Sequence, residues 1–170
     1  MANGLTYKRV TTTPLATKQL AATLAAHLRP NDVVVLIGDL GAGKTQFVQG
    51  IADGLGVKDQ VTSPTFNIQV TYDGGRLPLH HFDLYRLEQE EELDDIGFYD
   101  TIESDGASFL EWGDKFPGAL PYSYLEIEIR KDEDNPDGRV VFAHAYGDSS
   151  RQLLFLWAND SKSRLVKTVK

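Results

Sequence analysis

Gly38-Asp39-Leu40-Gly41-Ala42-Gly43-Lys44-Thr45 is the stretch on which the fold turns. Glycine stands at its first and sixth positions and lysine and threonine at its seventh and eighth, the spacing of a phosphate-binding loop. Gly41 and Gly43 let the backbone curl so that successive N–H groups face an anion, and the following helix presents its positive end to the same anion. In such a loop the whole run, Gly38 through Thr45, cradles the phosphates. Lys44 reaches the β- and γ-phosphates, and the Thr45 hydroxyl ligates Mg²⁺. The flanks fit. Residues 33–37 (VVVLI) are too short for a helix and read as a buried strand. Residues 45–55 carry Phe47, Val48, Ile51 and Leu55 on one helical face, with Gly54 and Gly56 weakening and ending the helix.

Working outward, residues 15–28 predict a helix with Leu20, Leu24 and Leu28 on one face, Thr13 as N-cap and Pro14 at its first position. Residues 66–72 and 77–82 flank Asp73-Gly74-Gly75 and predict a hairpin. Residues 88–95 open a short acidic helix, and Phe109-Leu110 forms a brief strand. Residues 124–130 and 139–146 predict a second hairpin across a polar connection, 131–138. Residues 152–157 are apolar and of undetermined type. There is no internal repeat. The order implies one α/β domain over residues 1–160 with a mixed, partly antiparallel sheet, and a basic tail at 161–170.

The chain has 170 residues and no cysteine, which excludes disulfides, thiolate metal sites and cysteine nucleophiles. Mean hydropathy is −0.30, and no apolar run approaches the roughly 20 residues of a membrane span. Without a secretory h-region at its start, the sequence predicts a soluble, cytoplasmic protein with no membrane contact. The net charge is −8, which argues against a broad basic nucleic-acid surface. Twelve acids against one base, Arg86, lie between Asp83 and Asp114, so the acidity is concentrated there. Its exposed part, 88–95, is expected to face a protein partner, and any RNA contact to be indirect or minor, through the basic tail.

A phosphate loop works with an acid at a neighbouring strand end that positions the metal. Asp83 and Glu111 are the two candidates, each also readable as a solvated strand-end carboxylate. His81 lies two residues from Asp83, where the pair either polarises a water or is a hydrogen-bonded strand pair. Ser63-Pro64-Thr65 reads either as a sensor loop for the terminal phosphate or as a strand-entry turn. Asp94-Asp95-Ile96-Gly97 fits DxxG but falls in an acidic helical run, and no NKxD occurs, so nothing supports guanine specificity. Trp112 reads as a packing residue at the site edge rather than a base-stacking platform.

Taken in order, the loop Gly38 to Thr45, Ser63-Pro64-Thr65-Phe66, His81-Phe82-Asp83-Leu84-Tyr85-Arg86-Leu87 and Leu110-Glu111-Trp112 resemble the bacterial TsaE (YjeE) family. These are small ATPases of tRNA threonylcarbamoyladenosine formation. The likeness spans residues 15–130. It departs from the family pattern at Gln46, often a second threonine, and at Gly113-Asp114, commonly Pro-Glu, which touches the rim of the site. The resemblance implies a P-loop NTPase-like three-layer fold, with ATP held by residues 38–45 and Mg²⁺ by Thr45 and Glu111. It further implies that hydrolysis requires Asp83 as well as Lys44, and that Thr65 belongs to a nucleotide-sensing switch. It also implies two partner proteins of actin-like fold, TsaB- and TsaD-like, one of which transfers threonylcarbamoyl to the adenosine beside the anticodon. A small-molecule kinase or a non-hydrolysing nucleotide-dependent binding module would carry the same loop.

Overall fold

Apolar runs that are buried on both faces, such as 33–37, demand a sheet covered by helices on each side. The computed structural model describes residues 7–64 and 66–160 and has that form. In chain order the elements are β1 (Tyr7–Thr11), α1 (Pro14–Ala25), β2 (Val33–Ile37), α2 (Lys44–Leu55), β3 (Gln69–Tyr72) and β4 (Leu79–Asp83). Then follow α3 (Glu92–Asp95), α4 (Phe98–Ile102), β5 (Ala107–Glu111), β6 (Tyr124–Asp132), β7 (Asn135–Tyr146) and α5 (Asp148–Ala158). The seven strands form one sheet in the order β1-β7-β6-β2-β5-β4-β3. The four inner strands β6, β2, β5 and β4 are mutually parallel, whereas β1, β7 and β3 pair antiparallel toward the edges.

Two cores result, one on each face. Leu24 of α1, Phe47 and Ile51 of α2 and Trp157 of α5 pack on one face. Leu87, Leu93, Phe98, Ile102 and Phe116 pack on the other. The mixed, three-layer α/β expectation holds. The acidic segment, in which the sequence shows no core role, proves to carry most of this second core. Glu88, Glu90, Glu91, Asp94 and Asp95 are exposed while Leu87, Leu93 and Phe98 are buried beneath them. Among the described residues no helix is long and apolar enough to cross a membrane.

Local chemistry accounts for the element ends. Thr13 caps α1, its hydroxyl accepting from Ala16 N at 3.0 Å. The helix stops at Ala25 rather than 28, although Leu28 stays buried. β3 starts at Gln69 rather than 66 because Ile68 adopts φ 64°, which breaks the strand before it. The segment of undetermined type is α5, with Leu153, Leu154 and Trp157 on its buried face. The second hairpin is longer than expected: β6 runs to Asp132 and β7 begins at Asn135, with a register irregularity at Lys131/Asp132. β1 and α4 are additional elements. The tail at 161–170 lies outside the described residues.

Gly54, read above as a weak point of α2, is a packing residue. A Cβ there would lie 2.6 Å from Ala25 Cβ, and one at Gly50 would lie 2.8 Å from Ala21 Cβ. The two glycines let α1 and α2 touch. Glycine to alanine inside a helix ordinarily stabilises by about 0.5–1 kcal/mol, but overpacking costs about 1–3 kcal/mol. Gly50→Ala is therefore expected to lower stability by at least about 1 kcal/mol, the reverse of the helix-propensity expectation, as a denaturant titration will show.

His80 sits between the Thr71 hydroxyl, 2.8 Å from Nδ1, and the Ser104 hydroxyl, 3.1 Å from Nε2. Burial holds its pKa below the ordinary value, against a smaller opposing pull from Asp73. The unfolded chain therefore takes up this proton first as pH falls through about 6.5. This contribution is complete above that pH and is lost below it. Urea titrations between pH 7.5 and 5.5 should show stability declining, with a shallower decline in His80→Gln.

Candidate functional site: a glycine loop between strand ends

Parallel strands deliver their carboxyl ends to one side of the sheet, where α/β proteins build their sites. β2 ends there and turns through residues 38–43 into α2. Gly38 has no alternative, since a Cβ would fall 2.7 Å from the Ile129 carbonyl oxygen of β6. Gly41 and Gly43 take φ of 79° and 110°, a conformation that favours glycine. Asp39 O accepts from Ala42 N at 2.9 Å and Gly43 O from Phe47 N at 2.9 Å, closing the turn and starting the helix. Gly43 offers no side chain to cap α2, so the first-turn amides are available to an external acceptor. Asp39 and Leu40 are exposed.

Lys44 is buried. Its ammonium donates to Gly38 O at 2.7 Å and lies 4.8 Å from the centre of the Trp112 ring. It thus spans the loop it follows. Thr45, half-buried, stands in the first turn of α2.

The two acids meet through the pairing of β4 with β5, in which Asp83 lies directly opposite Glu111. Both are buried. Asp83 N donates to Ile68 O at 2.8 Å and Leu84 N to Glu111 O at 3.0 Å, so each strand end is anchored by backbone. The Asp83 carboxylate accepts from Tyr85 N at 3.2 Å. His81 has a partner that neither reading of the His81–Asp83 pair named: its Nε2 bonds the Glu111 carboxylate at 2.6 Å across the strand pair. His81 is fully enclosed, and its Nδ1 has no hydrogen-bond partner. The bond therefore uses the ring's one satisfied nitrogen, and it fixes which way Glu111 points.

Trp112 follows Glu111 with φ 63°, a strained conformation for a bulky residue and the kind that gathers at functional sites. Its ring is 5.1 Å from that of Tyr85 and forms a wall of the site. Ile68, also at positive φ, joins Pro64 O to Asp83 N through its own amide and carbonyl.

These elements enclose two adjoining clefts. One, about 490 Å³, is lined by Gly41, Gly43, Lys44, Thr45, Asp83 and Glu111, with Leu40 at its edge. The other, about 520 Å³, lies on the β6 side of the loop and is lined by Gly38, Asp39, Ala42, Trp112 and Lys131 among others. The site residues expected from sequence are thus brought together, apart from Thr65, which lies outside the described residues. Sequence reasoning missed Arg139 of β7, whose Nε donates to Ala42 O at 2.6 Å. No local pattern marks it, because only the register of the β6–β7 hairpin carries it to the loop.

Comparison with known proteins agrees with this geometry. Residues 11–141 match the family described as threonylcarbamoyl adenosine biosynthesis protein TsaE. The tRNA threonylcarbamoyladenosine biosynthesis protein TsaE of Bacillus subtilis (strain 168) is 41% identical over 143 residues, 84% of this chain and 88% of that protein. The protein of the same name from Treponema pallidum (strain Nichols) is 44% identical over 103 residues, 61% of this chain and 76% of that one. The crystal structure of Bacillus subtilis YdiB superposes with a TM-score of 0.78 at 34% identity, covering 93% of this chain and 97% of that chain. With three quarters of its length matching and a relative's fold reproduced nearly end to end, this chain belongs to the TsaE family.

Proposed function

We propose that this chain binds Mg-ATP at the glycine loop and hydrolyses it in support of tRNA threonylcarbamoyladenosine formation in the cytoplasm. The observation that carries this reading is the meeting of Lys44, Thr45, Asp83 and Glu111 around one cleft, from α2, β4 and β5. A lysine and helix amides facing two strand-end acids is the arrangement phosphoryl chemistry uses, since catalysis there is mostly positioning and charge compensation. The name shared by the relatives supports the tRNA pathway.

Each residue has a distinct part. The loop amides and Lys44 bind the phosphates, and Lys44 exchanges its bond to Gly38 O for the ligand. The residues fit Mg²⁺: the Thr45 hydroxyl and the Glu111 carboxylate are oxygen donors, the type that ion takes. Among the described residues there is no group of three or more His, Asp or Glu that could hold a metal ion. Bound there, Mg²⁺ would neutralise phosphate charge that Asp83 and Glu111 otherwise repel. Glu111, held by His81, is the acid suited to a fixed metal position. Asp83 at the adjacent strand end is assigned to the attacking water, whose proton it accepts. Trp112 lines both clefts, with the Tyr85 ring packed against it.

Turnover is expected to depend on two actin-like-fold partners, TsaB- and TsaD-like. Exposed acids at 88, 90, 91, 94 and 95 suit a protein partner better than RNA, so tRNA contact by this chain is indirect or minor.

Lys44→Ala should weaken ATP binding by about 10–100-fold, because it removes a charge-assisted contact. Asp83→Asn should keep ATP affinity while phosphate release with the partners falls at least about 100-fold. Glu111→Gln should weaken binding in Mg²⁺ and leave metal-free binding nearly unchanged. Undiminished turnover in the Asp83 variant would refute its assignment, phosphoryl transfer to a metabolite would identify a kinase, and ATP-dependent assembly without phosphate release a binding module.

Tryptophan emission offers a direct readout. Trp157 is fully buried far along the chain in α5, whereas Trp112 is partly exposed beside Lys44. Nucleotide should therefore change the emission of the wild-type chain and leave that of Trp112→Phe unchanged.

A further inference from the structure

We infer that Arg139, at the rim of the cleft lined by Gly41, Lys44 and Thr45, is a positioning residue for the glycine loop, bracing it so that its amides are set for phosphate before the ligand arrives. The inference rests on the nucleotide reading above and extends it to a residue on the far hairpin. Arg139 projects from β7, two strands away from β2, yet its guanidinium reaches the loop. Nε donates to Ala42 O at 2.6 Å, and one terminal nitrogen faces Gly41 O at 3.4 Å. The other terminal nitrogen donates to Pro136 O at 2.8 Å and Gly138 O at 2.6 Å, which ties the group to its own hairpin.

Every one of these acceptors is a backbone carbonyl. An arginine that served only a surface ion pair would meet a carboxylate, and this one is instead spread over loop and hairpin as a rivet. The geometry of a trans peptide then does the positioning. With the Ala42 carbonyl turned onto Arg139, the N–H of Gly43 in the same peptide must point away from it. The planar guanidinium suits the task because it offers several donors in a fixed fork, whereas an ammonium offers a single point charge.

A second observation points the same way. Arg139 is paired in register with Lys131 across β6 and β7. Two like charges directly opposite on a strand pair are unfavourable unless something nearby draws them together. The Lys131 ammonium lies 3.6 Å from where a Cβ on Gly41 would stand, and Lys131 lines the cleft on the β6 side. Both cations of the unfavourable pair therefore stand beside Gly41 of the loop. They set positive charge against a site whose other wall carries Asp83 and Glu111.

The test uses the full chain with Arg139→Met and Arg139→Lys. Hydrogen exchange of the amides at 41–45, without nucleotide, reads the brace, and calorimetric titration with MgADP reads its consequence. Arg139→Met should speed exchange at 41–45 by about tenfold while the amides of β2 keep their protection. It should also raise the MgADP dissociation constant by about tenfold, with Arg139→Lys in between. Unchanged loop exchange overturns the inference, even if affinity falls, because Arg139 would then act on the ligand itself. Exchange that rises equally in β2 and in the loop also overturns it, by marking a general loss of stability. So does a wild-type affinity for MgADP in Arg139→Met. Faster loop exchange in Arg139→Met, in a wild-type chain that binds no MgADP at all, would uphold the brace and refute the nucleotide reading alone.

Discussion

Parallel pairing of β2 with both β5 and β6 is the constraint from which the rest follows. Parallel neighbours cannot be joined by tight turns, so the chain must cross over the sheet between them. Those crossovers supply α1 to α4, which with α5 after the last strand bury both faces. The same pairing lines up the carboxyl ends of β4, β5, β2 and β6 on one edge. The glycine loop, the two acids and the turn end of the β6–β7 hairpin are neighbours for that reason, although up to about a hundred residues of sequence separate them.

Placing two buried carboxylates beside a site for an anion is electrostatically demanding. The structure answers with cations and dipoles from several directions. Lys44 spans the loop from within, the first turn of α2 presents its amides, and Arg139 and Lys131 stand behind Gly41. His81 fixes Glu111 by a bond made entirely inside the protein. The acidic balance of the chain as a whole is then borne by exposed side chains at 88–95, over a separate apolar core. Strain at Ile68 and Trp112 falls at the margins of this same site, where the surrounding hydrogen bonds hold it in place.

Local signals were enough for the elements whose cause is local. The glycine loop, the Thr13 cap and the Asp-Gly-Gly turn each depend on residues a few positions apart. Where the cause lies across the sheet, the reading from sequence fell short. Gly54 reads as a helix weakness until α1 is laid against it. Residues 152–157 show apolar character but not whether a helix or a strand carries it, and only packing on β6 and β7 settles α5. β1 has no strong pattern of its own and exists by pairing with β7. Phe98 and Ile102 are single apolar residues in an acidic stretch, and their burial depends on the outer face of β4 and β5.

By itself the sequence determined the phosphate-loop pattern, the candidate acids Asp83 and Glu111, and the alternation of strands and helices, because these are encoded in spacing along the chain. Only the tertiary structure decided that His81 serves Glu111, that Asp83 and Glu111 stand directly opposite each other, and that Arg139 reaches the loop. Each of those relations is set by strand register, and register emerges only when the two faces of the sheet are buried together.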